Sequence, residues 1–337
     1  MFAPEFDYHK ASSVAEAIQM LGDKDGAKLI AGGHSLIPLI KLRFARPTAL
    51  IDIGGITDLK SITVDNGTVR IGALATHWEI ASSKDVEHAC SMLGEAARVI
   101  GDPQVRNRGT IGGNVVHSDP ASDWPVVLTA LNARFVIHGP GGSSRTVSPS
   151  EFFRTPFEPN LSANEVLTAV EVPAFTASHR AEYAKVAHPA SGYAVVCGAV
   201  VVTVDGDLCT SANIAVGGLV PAPVKATSVE RALIGQTLNV ENIMAASIQV
   251  ANDLGGELIG DFYASAEYRR AMAAVEIRHA LFHITGAAHI GSRAEMLVAG
   301  TGSFAGPGPG PAPPPTESVV PQHQPRNRWW EFWKPSP

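Results

Sequence analysis

Two short stretches, Ala31-Gly32-Gly33-His34-Ser35 and Gly109-Thr110-Ile111-Gly112-Gly113-Asn114, constrain this chain more than any other part of it. Each places paired glycines beside a hydroxyl residue, after a short apolar or extended segment at 27–30 and 105–108 respectively. Glycine reaches positive φ without steric cost and has no Cβ, so consecutive backbone N–H groups can turn toward one anion. Two such turns brought together would grip two adjacent phosphates. A Gly-Gly pair beside Ser or Thr is also common in ordinary tight turns, so the signal lies in the pair of stretches. Neither has the Gly-x-Gly-x-x-Gly spacing of dinucleotide sites or the Gly-x-x-x-x-Gly-Lys-Ser/Thr of phosphate loops. A third run, Gly300-Thr301-Gly302 with Gly306, leads into Gly-Pro repeats instead of a helix and is set aside.

Around these stretches the pattern predicts alternating strands and helices. Phe6 to His9 reads as an edge strand, and Ser13 with Glu16 as a capping box opening a helix to about Leu21. A strand over 27–30 delivers the first glycine stretch, a helix over 35–43 leaves it, and a strand over 49–53 follows. Asp65-Asn66-Gly67 between 61–64 and 68–72 is a hairpin signature, because Asn-Gly favours positive φ at both turn positions. Thr76 with Glu79 repeats the capping box, and 85–100 reads as one longer amphipathic helix. A helix at 124–131 and strands at 134–138, 145–147 and 165–172 complete this part. The composition shift over 173–179 marks a boundary. Beyond it come three strands, 181–186, 194–204 and 208–216, then helices near 228–234, 240–254 and 266–285. The fold class expected is α+β.

The chain has 337 residues, enough for two domains with proper cores and an appendage. Its formal net charge of −6, with no clustered Lys and Arg, argues against a nucleic-acid partner. Three scattered cysteines, Cys90, Cys197 and Cys209, are too few for a disulfide framework or an iron–sulfur cluster and fit a reducing compartment. Met1 to Asp7 is acidic and lacks the regions of a signal peptide, and no apolar run approaches a membrane span, so a cytoplasmic body is expected. None of the twelve histidines shows metal-ligand spacing. Asp119 and Asp123, at i and i+4 beside Pro120 and Pro125, could be an acid–base pair, but such a pair is more often turn or cap chemistry. Asp119 is read as structural.

These residues carry a resemblance. Ala31 to Ser35 followed by Leu36-Ile37-Pro38 and Lys41-Leu42-Arg43, then Asp102-Pro103-Gln104-Val105-Arg106 leading into Thr110 to Asn114 and Asp119 to Asp123, resembles the FAD-binding medium subunit of molybdenum hydroxylases. Within that family the Gly-Gly-His-Ser form is most similar to the flavoprotein subunit of aerobic carbon monoxide dehydrogenase. The resemblance implies an FAD-binding domain of the PCMH/vanillyl-alcohol-oxidase type over 1–175, with subdomains of about 1–58 and 59–175. It implies a C-terminal domain over 180–287, a small three-stranded sheet plus helices, and leaves 288–337 as a tail.

The resemblance also assigns roles. Backbone groups of Ala31, Gly32, Gly33, His34 and Ser35, and of Thr110, Ile111, Gly112, Gly113 and Asn114, would hold the FAD pyrophosphate, with the Ser35 and Thr110 hydroxyls adding bonds. Asn114 would bond phosphate or ribose, Asp123 would accept from ribityl or ribose hydroxyls, and Leu167 would touch the adenine side. Lys185 and Tyr193 would project toward the flavin ring, where an aromatic excludes water and a cation stabilises the reduced cofactor. Relatives often carry Arg and Asp where this chain has His188 and Gly192, which leaves the contacts near the ring and the electron acceptor open. No residue of the chain is expected to act in catalysis or to bind metal. A large molybdenum-copper subunit and a small subunit with [2Fe-2S] clusters would oxidise carbon monoxide, in a dimer of heterotrimers, and this chain would relay electrons through FAD to a quinone or other acceptor. Xanthine or aldehyde chemistry in the large subunit, or a nucleotide-binding scaffold, are the alternatives.

From Gly302 the composition breaks into Gly-Pro repeats and then polar residues, as expected of a disordered or extended linker. It ends in a block holding Arg326, Arg328, Trp329, Trp330, Phe332 and Trp333. Tryptophan and arginine suit a membrane interface or a partner groove, and a spacer before them suits recruitment of the membrane or a quinone-handling partner over packing on the chain itself.

Overall fold

The structure is a computed structural model and describes residues 2–286. The linker, the aromatic-basic block and their expected roles lie outside the described residues. Three sheets organise the rest. The first is parallel, with β1 (Asp7–Lys10), β2 (Lys28–Ile30) and β3 (Ala49–Asp52) in the order β1-β3-β2, so β1 is an edge strand as expected. Helix α1 (Val14–Asp23) crosses over between β1 and β2, and its Ala17 packs with Ile51, Ile53 and Leu59 in a small core. Ser13 caps α1 by accepting from the Glu16 N–H, but the Glu16 carboxylate reaches back to Ser12 instead of Ser13, so the reciprocal half of the box is offset by one residue. Helix α2 (Leu36–Lys41) leaves the first glycine stretch.

The second sheet is antiparallel, in the order β4-β5-β10-β6-β7, where β4 is Ile62–Asp65, β5 Thr68–Gly72, β6 Arg134–His138, β7 Ser144–Val147 and β10 Val166–Pro173. A small hairpin, β8 (Phe153–Thr155) with β9 (Glu158–Pro159), stands apart. Asn66 and Gly67 have φ of 48° and 73°, the left-handed pair that the β4–β5 turn requires. Helices α3 (His77–Ser82), α4 (Lys84–Ala89), α5 (Ser91–Arg98), α6 (Pro103–Arg106), α7 (Ile111–His117), α8 (Asp123–Ala130) and α9 (Pro149–Phe152) lie between β5 and β8 in sequence. The Thr76–Glu79 capping box forms in full at the start of α3.

Two expectations fail here. The single helix over 85–100 is two helices broken at Cys90, whose φ/ψ of −162°/82° is far from helical. The break is tolerated because the freed Ala89 carbonyl accepts from the Phe175 N–H at 2.6 Å, a partner remote in sequence. The segment 105–108 is no extended approach to the second glycine stretch either. It falls largely in and just after α6, which Asp102 caps and Pro103 starts.

The third sheet is antiparallel, with β11 (His179–Ala187), β12 (Ala194–Asp205), β13 (Leu208–Gly217) and a two-residue β14 (Val224–Lys225) in that order. The three long strands are those read from the sequence. The fourth was not, since two residues carry no alternation to read. Helix α10 (Thr227–Leu233) packs on β13 and α12 (Ala266–Thr285) on β11 and β12. Helix α11 (Val240–Ser247) is shorter than the expected 240–254, giving way to a 3-10 turn over Ile248–Asn252. At the break the buried Ser247 hydroxyl donates to the Met244 carbonyl, the side-chain competition that loosens a helix end. Residues Ala194 to Val202 of β12 are all buried, because α12 covers one side of the sheet and α8 packs on the other. That double burial explains the unbroken apolar run. At Gly217 a Cβ would lie 2.3 Å from Val126 of α8, so glycine there sets how closely α8 approaches the sheet. No helix among the described residues is long and apolar enough to cross a membrane.

Candidate functional site

The two glycine stretches do meet. Gly32 packs so tightly on the loop before α7 that an added Cβ would lie 2.0 Å from the Arg108 carbonyl oxygen and 3.0 Å from the Gly109 Cα. Behind Gly109 stands the His77 ring, with Cδ2 and Nε2 each 2.9 Å from where a Gly109 Cβ would be. Main-chain bonds fix the same loop: Gly109 donates to Val105 O at 2.6 Å and accepts from the His77 N–H at 3.0 Å.

The stretches are not equivalent. In the first, Gly33 has φ +74°, and the N–H groups of Ala31, Gly32, Gly33, His34 and Ser35 have no acceptor among the described residues. Five successive donors at the end of β2 are thus left unclaimed by the described residues. The His34 ring folds back, its Nδ1 donating to the Gly32 carbonyl at 2.8 Å. The second stretch is a helix start. Thr110 caps α7, taking the Gly113 N–H on its hydroxyl at 3.2 Å and the Asn114 N–H on its carbonyl at 3.0 Å. Ile111 and Gly112 donate to Ala75 O and Ala73 O at 3.0 and 2.9 Å. Its backbone donors are therefore spent on the protein, and the expectation that both stretches offer N–H groups to an anion is corrected for Ile111, Gly112, Gly113 and Asn114. Gly112 is there for contact: its Cβ would be 2.5 Å from that of Ala73.

What the second stretch does present is a side chain. Asn114 Oδ1 accepts the Ser122 hydroxyl at 2.5 Å, which leaves the amide hydrogens to donate outward. Ser122 is fully buried and escaped the sequence reading. Just behind it, Asp119 accepts from the Ala121 N–H at 2.9 Å in an Asx turn, and burial raises its carboxyl.

Asp123, at the start of α8, is 4% exposed. Its Oδ1 accepts from Lys185 Nζ and from the Tyr183 hydroxyl, both at 2.7 Å. Burial pushes the carboxyl up, opposed by the ammonium and the phenol. Lys185 also donates to Val99 O and Gly192 O at 2.8 and 2.9 Å, so its ammonium turns inward instead of projecting freely. Tyr193 stays half open with its phenol beside the Ser35 hydroxyl, which brings the third sheet up to the first glycine stretch. Burial drives that phenol up to about 12. Leu167 lies in the main apolar core, opposite Ile137 in the β10–β6 register, with α7 packed over its strand.

Tyr183 and His77 were also missed. Tyr183 shares a strand face with Lys185 two residues on, which is the signal that could have found it. His77 is 2% exposed and accepts the Trp124 indole N–H on Nδ1 at 3.1 Å, which fixes the tautomer with its proton on Nε2. Burial, with Arg106 and His34 nearby, holds it down to about 4, so it is neutral at neutral pH. Burial pushes the Cys90 and Cys197 thiols up to about 12. The arrangement is one of fixed donors and a buried ion pair, suited to holding a ligand in place.

A family model described as the FAD binding domain in molybdopterin dehydrogenase matches residues 4–175, and one for the CO dehydrogenase flavoprotein C-terminal domain matches residues 181–283. The chain belongs to this family. It is 38% identical over 288 residues to the carbon monoxide dehydrogenase medium chain of Hydrogenophaga pseudoflava, covering 83% of this chain and 97% of that one. It is 36% identical to the glyceraldehyde dehydrogenase medium chain of Sulfolobus acidocaldarius, covering 82% and 96%. Among solved structures, a carbon monoxide dehydrogenase of H. pseudoflava lacking the Mo-pyranopterin moiety of its molybdenum cofactor superposes with a TM-score of 0.81 at 39% identity, over 85% of this chain and 99% of that one. The chain is thus an FAD-binding oxidoreductase subunit of mixed helix and strand, with the C-terminal domain of CO dehydrogenase flavoproteins.

Proposed function

We propose that this chain is the medium subunit of an aerobic carbon monoxide dehydrogenase, taking electrons from an iron–sulfur subunit and passing them through FAD to a quinone or similar acceptor. The observation that carries the reading is the likeness to carbon monoxide dehydrogenase medium chains along nearly their whole length. Oxidation of carbon monoxide with water to carbon dioxide releases two protons and two electrons, and it would occur at a molybdenum-copper site in a large subunit. FAD supplies the ability to accept electrons singly and discharge them in pairs. The complex would be a dimer of heterotrimers.

The residues present fit FAD. The open donors of Ala31 to Ser35 match a pyrophosphate, which needs N–H groups more than cations. Asn114, aimed by Ser122, adds a neutral donor from the second stretch, and the Thr110 hydroxyl lies beside it. The absence of Cβ atoms where Gly32 meets Gly109 lets these donors converge. Asp123 would accept a ribityl or ribose hydroxyl, and Tyr193 would shield the flavin ring from water. Lys185 would act on the cofactor through Asp123 and through the loops carrying Val99 and Gly192, which it ties together.

A second reading has a specific observation behind it, the nearly equal identity to a glyceraldehyde dehydrogenase medium chain. The complex purified with its native partners decides between them. Bleaching of flavin and iron–sulfur absorbance on adding carbon monoxide without oxygen is the expected result. Bleaching by an aldehyde or purine alone would refute the substrate and keep the cofactor. The body would be cytoplasmic, and the aromatic-basic end of the chain would recruit the membrane's inner face or a quinone-handling partner. Removing residues 303–337 should then lower quinone reduction and membrane association, and unchanged values of both would refute that role.

A further inference from the structure

The third sheet reaches the site's buried carboxylate through two side chains of one strand. Tyr183 and Lys185 stand on the same face of β11, and both end on Asp123 Oδ1 at 2.7 Å. Oδ2 is then the oxygen on which a further donor can be received. Lys185 divides its ammonium among Asp123, Val99 O and Gly192 O, so it neutralises the carboxylate without being devoted to it. The Tyr183 hydroxyl is the second donor on Oδ1. It is an unusual placement for a purely packing residue, since the ring is 8% exposed within the main apolar core and phenylalanine would fill the same space.

We infer that Tyr183 is a positioning residue of the cofactor site: by donating to Oδ1 it holds the Asp123 carboxylate turned so that Oδ2 meets a cofactor hydroxyl. The inference rests on the proposed contact between Asp123 and FAD. It makes the C-terminal domain a participant in cofactor binding through a hydrogen bond, beyond its packing. The groups that titrate around Asp123 are Lys185 and Tyr183 of β11, Cys197 of β12 and, further off, Tyr193 and Asp119. Burial favours the protonated acid, and Lys185, Tyr183 and the residue's own main-chain N–H oppose it. Removing the neutral donor therefore raises the pH at which the carboxylate is lost.

The test uses the full chain, stripped of flavin and titrated with FAD by fluorescence quenching between pH 5 and 8. Tyr183→Phe keeps the ring volume. It should weaken FAD binding about ten-fold at neutral pH, the scale of one charge-assisted hydrogen bond, and move the acid limb of the affinity profile to higher pH. Placing 3-fluorotyrosine at 183 retains the bond with a more acidic phenol and should move that limb the other way, which keeps the test alive if Tyr183→Phe fails to fold. Asp123→Asn should weaken binding at every pH and flatten the profile. An unmoved acid limb in both position-183 variants, with Asp123→Asn still weakened, would overturn the role of Tyr183. Wild-type binding by Asp123→Asn would instead remove the Asp123 contact, and the inference with it.

Discussion

The contact between the glycine stretches is open to a direct steric test, Gly32→Ala. Its φ is not positive, so the substitution brings no backbone strain and acts through space alone. The new Cβ would start 2.0 Å from Arg108 O and 2.8 Å from Arg108 C, against a floor of 3.0 Å for real Cβ contacts, so the stretches must part by about 1 Å. Neither side yields cheaply. The atoms opposite are backbone, and Gly109 is pinned through Val105 O, the His77 N–H and the His77 ring. Overpacking of this kind costs about 1–3 kcal/mol. For a body of this size each kcal/mol lowers Tm by about 2–4 °C, giving a fall of roughly 2–12 °C. The same displacement separates the Ala31–Ser35 donors from Asn114. If one charge-assisted hydrogen bond of about 1.5–3 kcal/mol is lost, FAD binds roughly 10- to 100-fold more weakly. Calorimetry of the flavin-free chain and an FAD titration read the two effects separately. Gly22→Ala is the control, because Gly22 lies in α1 with nothing within 4 Å of its Cβ position. It should add up to about 1 kcal/mol of stability and leave FAD affinity alone. If Gly32→Ala matched wild type in both Tm and FAD affinity, the close approach and its role would be refuted.

Three further outcomes are expected. Ser122→Ala leaves the Asn114 amide oxygen without its donor and free to flip, so FAD affinity should fall about five- to ten-fold; an unchanged affinity, with Asn114→Ala clearly weakened, would show that Ser122 does not aim the amide. His77 is held down to about 4 from an unfolded 6.5, so below 6.5 the unfolded chain binds the extra proton first and stability drops as pH falls. The sum approaches 3 kcal/mol, roughly, by the lower end of that window. His77→Gln should lose this part of the acid limb in a series of thermal melts, and an identical limb would exclude His77 as its source. Cys90, Cys197 and Cys209 are buried, and burial raises all three thiols. A thiol reagent at pH 8 should therefore label all three quickly only after unfolding; rapid stoichiometric labelling of the native chain would contradict their burial.

Features decided within a few residues were legible from the sequence. The Asn66-Gly67 turn, the Thr76–Glu79 box and the helix over 266–285 after Ser265 follow from φ preference, capping and the lack of a breaker. So did the two glycine stretches as places where backbones come close, since a missing Cβ is a local fact. The residues that carry the family likeness also sit there, and they were enough to name the cofactor. The break at Cys90 and the two-residue β14 were not legible, because a remote N–H partner for the Ala89 carbonyl and an existing strand edge decide them; the break after Ser247 rests on a hydroxyl bond only three residues back, a local cue whose rotamer the sequence does not specify.

The site divides along the same line. Sequence determined which residues could donate, and only the tertiary structure decided which donors remain open. Ala31 to Ser35 keep theirs because none of the described carbonyls accepts them, the Arg108 carbonyl packing against Gly32 without taking its N–H, whereas Ile111 and Gly112 lose theirs to Ala75 and Ala73, brought alongside from the end of β5. Asp123 likewise acquires its partners from across a domain, 60 and 62 residues away. A hydrogen-bonding group is fixed by the residue type, but its availability is fixed by what folds against it, and that information is not local to any stretch of the chain.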